Sequence, residues 1–223
     1  MHIEPGLVDG AKTALGYATA AAAGGAALYH IAKATRDSGA ASVALRSLVA
    51  TVGVFLFFEV LPHFPVGVSE VHFILGSSLF LILGAGPAAV GLALGLLIQG
   101  LFFAPVDLPQ YGMNLTTLLV PLFALHAVAR RVIAPGSAYV DLDYRQVLAL
   151  SAVYQGGVVA WVAFWAIYGA GFGVGTLAAI GSFGAAYMAV VLIEPVADLA
   201  LLGLAKALKG QGSPIVTPRL YAA

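Results

Sequence analysis

The sequence has no cysteine, and that excludes disulfides, thiolate metal sites and thiol catalysis. Charge is almost as scarce. Only 9% of the 223 residues are Asp, Glu, Lys or Arg, and ten basic residues balance ten acidic ones. A neutral chain offers no footprint for nucleic acid or another polyanion. Phosphate-binding and hydrolytic motifs are also missing: there is no Gly-rich loop followed by Lys, no HExxH pair and no GxSxG elbow. The chain is therefore expected to be no enzyme, and any ATP-driven work must come from another subunit.

What is present is apolar. Hydrophobic residues make up 61% of the chain and the mean hydropathy is +0.99, against roughly 45–50% apolar and about 25% charged in soluble domains. Residues 13–32, 47–58, 71–106, 108–129 and 146–193 carry no formal charge. A spanning helix needs about 20 mostly apolar residues, so the longest stretches must each hold two spans. Continuous apolar runs, rather than alternation over about ten residues, argue against an outer-membrane barrel. The first basic residue is Lys12, behind Glu4 and Asp9, which is not the start of a secretory signal peptide. The expected fold is a single all-α domain over 1–223, a polytopic bundle of about seven transmembrane helices in the cell (inner, cytoplasmic) membrane.

The helices are expected at about 11–33, 42–61, 71–84, 88–104, 114–133, 146–168 and 174–205. An N-terminal segment 1–10 precedes them and a short tail 206–223 follows. Leu61-Pro62 ends the second helix. The run Gly84-Ala85-Gly86-Pro87 separates the third from the fourth, and Pro195 kinks the last. In this arrangement Lys33, Arg36, Arg46, Arg130, Arg131, Arg145, Lys206, Lys209 and Arg219 fall on one side and only Lys12 on the other. Basic residues favour the cytoplasm, which puts the N-terminus outside and the C-terminus inside. Gly91 with Gly95, Gly171 with Gly175, and the run 181–186 form small faces suited to close helix packing or to docking another membrane subunit.

Few residues are left for chemistry. The chain opens Met1-His2-Ile3-Glu4-Pro5-Gly6. A residue as large as His2 blocks the usual removal of Met1, so a free α-amine stands beside a histidine. The amine, the backbone nitrogen of His2 and its imidazole can close adjacent chelate rings on one ion. Loss of the backbone proton restricts this to ions that favour square-planar nitrogen sites, Ni(II) or Cu(II). The alternative is a frayed terminus with no role. His72, with Ser69 and Glu70 before it, lies at the outer start of the third helix, where those two residues could orient a ring nitrogen. A helix-start histidine bonded to a backbone carbonyl would look the same. Asn114 opens the fifth helix as an N-cap or a ligand-site residue. His63 is expected in an exposed loop, and Glu59 at either the metal region or the interface. His30 and His126 are expected toward the cytoplasmic ends, for packing or an exit path. Glu194 and Asp198, one turn apart, are expected to pair with Arg130, Arg131 or Lys206, or to contact a partner.

These pieces together resemble the substrate-binding membrane component of energy-coupling factor transporters for cobalt and nickel, the CbiM/NikM family. The resemblance rests on Met1-His2-Ile3 with Gly6, Val71-His72-Phe73-Ile74-Leu75-Gly76, the Gly86-Pro87 turn, the run from Leu96 to Phe103, and Gly112 with Asn114. It implies that the N-terminus inserts into the bundle from outside. Nitrogens of Met1, His2 and His72 would hold Ni(II) or Co(II), the transported substrate, with Ser69, Glu70 and Asn114 in support. No organic cofactor is implied. The implied partners are a transmembrane coupling protein, a pair of ABC-type ATPases and a small accessory membrane subunit. The sequence departs from the family pattern at Glu4-Pro5-Gly6, where the acidic residue and its neighbour are exchanged. It departs again after Asn114, where a second asparagine is absent. The readings competing with an importer subunit are a metal permease that needs no ATPase and a structural or assembly membrane protein.

Overall fold

A computed structural model describes residues 3, 5–208 and 214–221. The described residues are all-α apart from one short hairpin and a single bridge to it from Ile3. The helices are α1 (Thr13–Ser38), α2 (Ala40–Phe55), α3 (Gly76–Leu83), α4 (Ala85–Phe102), α5 (Tyr111–Val132), α6 (Tyr144–Ala170), α7 (Val174–Met188) and α8 (Glu194–Ala207). Five helical segments among the described residues are long and apolar enough to cross a membrane: 40–60, 85–102, 105–132, 144–170 and 174–207. The outward faces are apolar, with Phe102, Phe172, Val174 and Leu192 among the most exposed side chains. Water would not tolerate such a surface, whereas lipid requires it. The protein is a multi-pass helical membrane protein.

Helix α3 departs most from expectation. It begins at Gly76, not near 71, because residues 69–71 are drawn into a strand. Strand β1 (Phe64–Val66) pairs antiparallel with β2 (Ser69–Val71), Phe64 opposite Val71 and Val66 opposite Ser69. Gly67 turns the hairpin with φ +65° and lies against the Ala179 carbonyl of α7, so any side chain there would be both strained and obstructed. What remains of α3 is eight residues, about 12 Å long at 1.5 Å per residue. Six of its first seven residues after Leu75 pack inside the bundle alongside α4 and α6.

The other boundaries have local causes. Gly84 alone, at φ +88°, breaks α3 from α4. Pro87, expected in the turn, instead sits in the first turn of α4, where a missing N–H loses no helical bond. α6 starts with a capping box: Asp143 Oδ1 accepts from the Gln146 N–H at 2.8 Å, and Gln146 Oε1 accepts from the Asp143 N–H at 3.0 Å. The last span is two helices joined by a tight 3-10 turn, Ala189–Leu192. Pro195 forces this break, since its ring would collide with the carbonyl four residues back in a continuous helix.

The small faces separate into two kinds. Gly91 and Gly95 press on Ala50 and Val54 of α2, with no space for a Cβ. Beside Gly171, Gly175 and Gly181 there is open space, as there is beside Gly24 and Gly25 of α1. The α2–α4 pair is the most extensive helix contact of the bundle. Gly91→Leu or Gly95→Leu should therefore destabilise the protein by about 1–3 kcal/mol or more through overpacking. Gly175→Leu should leave the melting temperature in detergent within a degree or two of wild type.

Candidate metal centre

Among the described residues of the N-terminal segment, Ile3 and Val8 are buried at one end of the bundle. Ile3 is fully buried and forms an antiparallel bridge with Ser69 of β2. Its N–H donates to Asn114 Oδ1 at 2.9 Å across 111 residues of chain. With its amide oriented to satisfy both neighbours, Gln110 donates to the Ile3 carbonyl and accepts from the Gly6 N–H at 3.3 Å. Further along, Lys12 Nζ donates to the Gly169 carbonyl at the end of α6 at 2.8 Å, a cation on a helix C-terminus. Tyr17 on α1 donates to the Pro109 carbonyl at 3.0 Å. The start of the chain is thus clamped between the hairpin, the start of α5 and the end of α6.

Asn114 is not a cap. It lies in the fourth position of α5, whose N-cap is Gln110. Its side chain faces the N-terminal segment instead of its own helix. His72 lies just beyond β2, outside any helix or strand, fully buried, and four residues before α3. Its Nε2 is 3.0 Å from Glu70 Oε2. Phe58 meets its ring edge-on at 5.0 Å. His63, expected to be exposed, stacks on His72 with ring centroids 4.9 Å apart and planes 15° from parallel. No local pattern could have found that pair, because the hairpin creates it. Glu59 is half-buried in a π-helical turn, Leu56–Val60, and its side chain makes no hydrogen bond or ion pair with the described residues.

The structure thus brings Ser69, Glu70, His72, His63 and Asn114 to one end of the bundle, together with Ile3. Met1 and His2, the two expected ligands at the start of the chain, lie outside the described residues. Among the described residues no group of three or more His, Asp or Glu could hold a metal ion by itself.

The remaining polar residues are elsewhere. Glu194 and Asp198 pair with none of the basic residues expected. Glu194 accepts from Ser151 Oγ and, at 2.7 Å, from Gln155 Nε2. Asp198 accepts from Ser77 Oγ at 2.6 Å and from Ser78 Oγ. Lys206 pairs with Asp141 at 2.7 Å. The cause is the break before Pro195, which turns the first face of α8 into the bundle against α3 and α6. Neutral donors, not cations, meet the two carboxylates there, and Glu194 Oε1 is left without a hydrogen bond. His30 and His126 meet at the end opposite the N-terminal segment, with ring centroids 4.7 Å apart.

A helical bundle with an apolar outer surface, a buried imidazole held by a carboxylate and Ile3 packed beside the same hairpin defines a multi-pass membrane protein with a polar site at one end. The chain belongs to the CbiM family, cobalt uptake substrate-specific transmembrane region, whose model matches residues 2–211. It is a substrate-binding membrane subunit of a metal-ion uptake system of the energy-coupling factor type. No match was found among curated proteins or among solved structures.

Proposed function

We propose that the subunit binds one Ni(II) or Co(II) ion through the Met1 amine, the backbone and imidazole nitrogens of His2, and His72. The observation that carries this reading is the attachment of Ile3. It is the residue after His2, and it is fixed both to Asn114 and to Ser69, three residues before His72. Because Nε2 of His72 faces Glu70, the metal would take Nδ1. The carboxylate would orient the ring and raise its basicity. Amine, deprotonated amide and two imidazole nitrogens form a four-nitrogen set that suits square-planar Ni(II). Co(II) is the other ion this family reading admits. Binding would release protons from the amine and amide, so its measured enthalpy should vary with the ionisation enthalpy of the buffer.

In this reading the N-terminal end faces the outside, and the end carrying Lys33, Arg36, Arg130, Arg131, Lys206 and Arg219 faces the cytoplasm. The other two of seven crossings are α1 and the buried segment from His72 through α3, whose eight helical residues do not span alone. The partners are a transmembrane coupling protein, a pair of ABC-type ATPases and a small accessory membrane subunit. The open glycine faces of α1 and α7, at Gly24-Gly25 and Gly175-Gly181, suit the coupling protein, since small residues let helices approach closely. Reconstitution separates this reading from a self-sufficient permease. Liposomes holding this chain alone should bind radioactive nickel or cobalt without accumulating it, and accumulation by the chain alone would overturn the reading.

A further inference from the structure

At the end opposite the N-terminal segment lies a cavity of about 540 Å³. It is bounded by the end of α1, the start of α2, the α3–α4 junction, α5 and the folded-back tail at 217–219. Its lining carries Lys33, Arg46 and Arg219 against a single carboxylate, Asp37, with His30 and His126 further in. None of the three cations makes an ion pair among the described residues.

Arg46 is the unusual member. Only 1% of its surface is exposed, yet its guanidinium meets neutral groups alone. It donates to the Leu83 carbonyl at 2.7 Å and to the Ser38 hydroxyl, with a longer contact to the Ser42 carbonyl at 3.4 Å. The Leu83 contact places a cation at the C-terminus of α3, which the helix dipole favours. It supplies no counter-charge, and a buried charge without one is strongly disfavoured. Lys33 and Arg219 beside it deepen the imbalance. The excess of cations also makes the cavity a poor passage for a dication, so the metal path once open to His30 and His126 is not favoured.

We propose that this cavity binds a phosphate group, that of an anionic phospholipid headgroup such as phosphatidylglycerol or cardiolipin. Basic pockets between transmembrane helices at the membrane surface are suited to such headgroups. The cavity lies where the helices end, and Tyr29, next to His30, is largely exposed as an interfacial aromatic would be. The exposed Leu28 on the same helix gives an acyl chain an apolar surface to follow. Arginine matches phosphate oxygens in a fork, which the exposed Arg219 would offer the ligand while Arg46 adds its charge from within the wall. The inference needs the bundle to lie in a bilayer and does not depend on the metal centre.

The test is native mass spectrometry and thermal unfolding of the purified chain in detergent with added phosphatidylglycerol, cardiolipin or phosphatidylcholine. The anionic lipids should stay bound and raise the unfolding temperature, and phosphatidylcholine should not. Lys33→Gln and Arg219→Gln remove exposed charges and should each weaken retention about fivefold, with lipid-free stability and nickel binding unchanged. If millimolar inorganic phosphate gives the same stabilisation with the same dependence on Lys33 and Arg219, the site stands and its source is soluble phosphate. Equal retention of anionic and zwitterionic lipid, or retention untouched in the double variant, overturns the proposal. So does stabilisation only by an acidic peptide.

Discussion

Replacing His72 with alanine should abolish tight Ni(II) and Co(II) binding, lowering affinity by more than about 100-fold. Loss of an outer partner of a metal ligand typically lowers affinity 10–100-fold, and loss of the ligand itself must exceed that. Two comparisons make the result specific. Asn114→Ala removes the acceptor of the Ile3 N–H and should fall within the 10–100-fold range, because it loosens the chain after His2 without removing a donor atom. Glu70→Gln should have a similar or smaller effect, since an amide still accepts from the ring at 3.0 Å but no longer raises its basicity. His72 is fully buried beside Phe58 and His63, so the variant must be shown to fold. Unfolding followed in detergent serves as that control. If His72→Ala is stable and binds nickel as wild type does, the ion is held elsewhere.

The second large effect concerns the very start of the chain. A single glycine added before Met1 should remove binding altogether while leaving stability unchanged. The added residue converts the Met1 amine into an amide and moves the new amine one residue away. Chelate rings closed by consecutive nitrogens cannot absorb that shift, because each ring has a fixed number of atoms. The bundle should not notice it, since the clamp described above begins at Ile3 and holds through Asn114, Ser69 and Gln110. A variant that loses both binding and stability would point to a packing role for the terminus.

Much of the membrane architecture was legible in the sequence because its cause is one-dimensional. Charge-free runs long enough to cross a bilayer are a property of composition and spacing, and the apolar outer surface follows from them. A turn at Gly84 and a kink at Pro195 were legible for the same reason, since a glycine turn and a missing N–H are local events, but the full break into α7 and α8 was not. The extent of α3 was not legible. Residues 71–75 read as the start of an apolar helix until β1 is placed beside them, and only then does the hairpin draw Ser69–Val71 into a strand. The family resemblance marked His72, but its neighbours come from the fold. His63 stacks on it because of the hairpin, and Asn114 turns toward Ile3 because a backbone donor arrives from 111 residues away. A capping role for Asn114 was reasonable from its position and wrong once Gln110 took it. Glu194 and Asp198 illustrate the same point. Their charge suggested basic partners, yet the partners are Ser77, Ser78, Ser151 and Gln155, polar residues inconspicuous within apolar runs.

The central claim is that a transition-metal ion is captured by the free start of this chain and His72 together. Isothermal titration of Ni(II) and Co(II) into the purified native chain, beside the glycine-extended chain under identical conditions, tests it most directly. The native chain should bind one ion saturably, with a buffer-dependent heat of proton release, and the extended chain should bind none. Native protein that binds neither ion, or an extended chain that binds as the native one does, would contradict it.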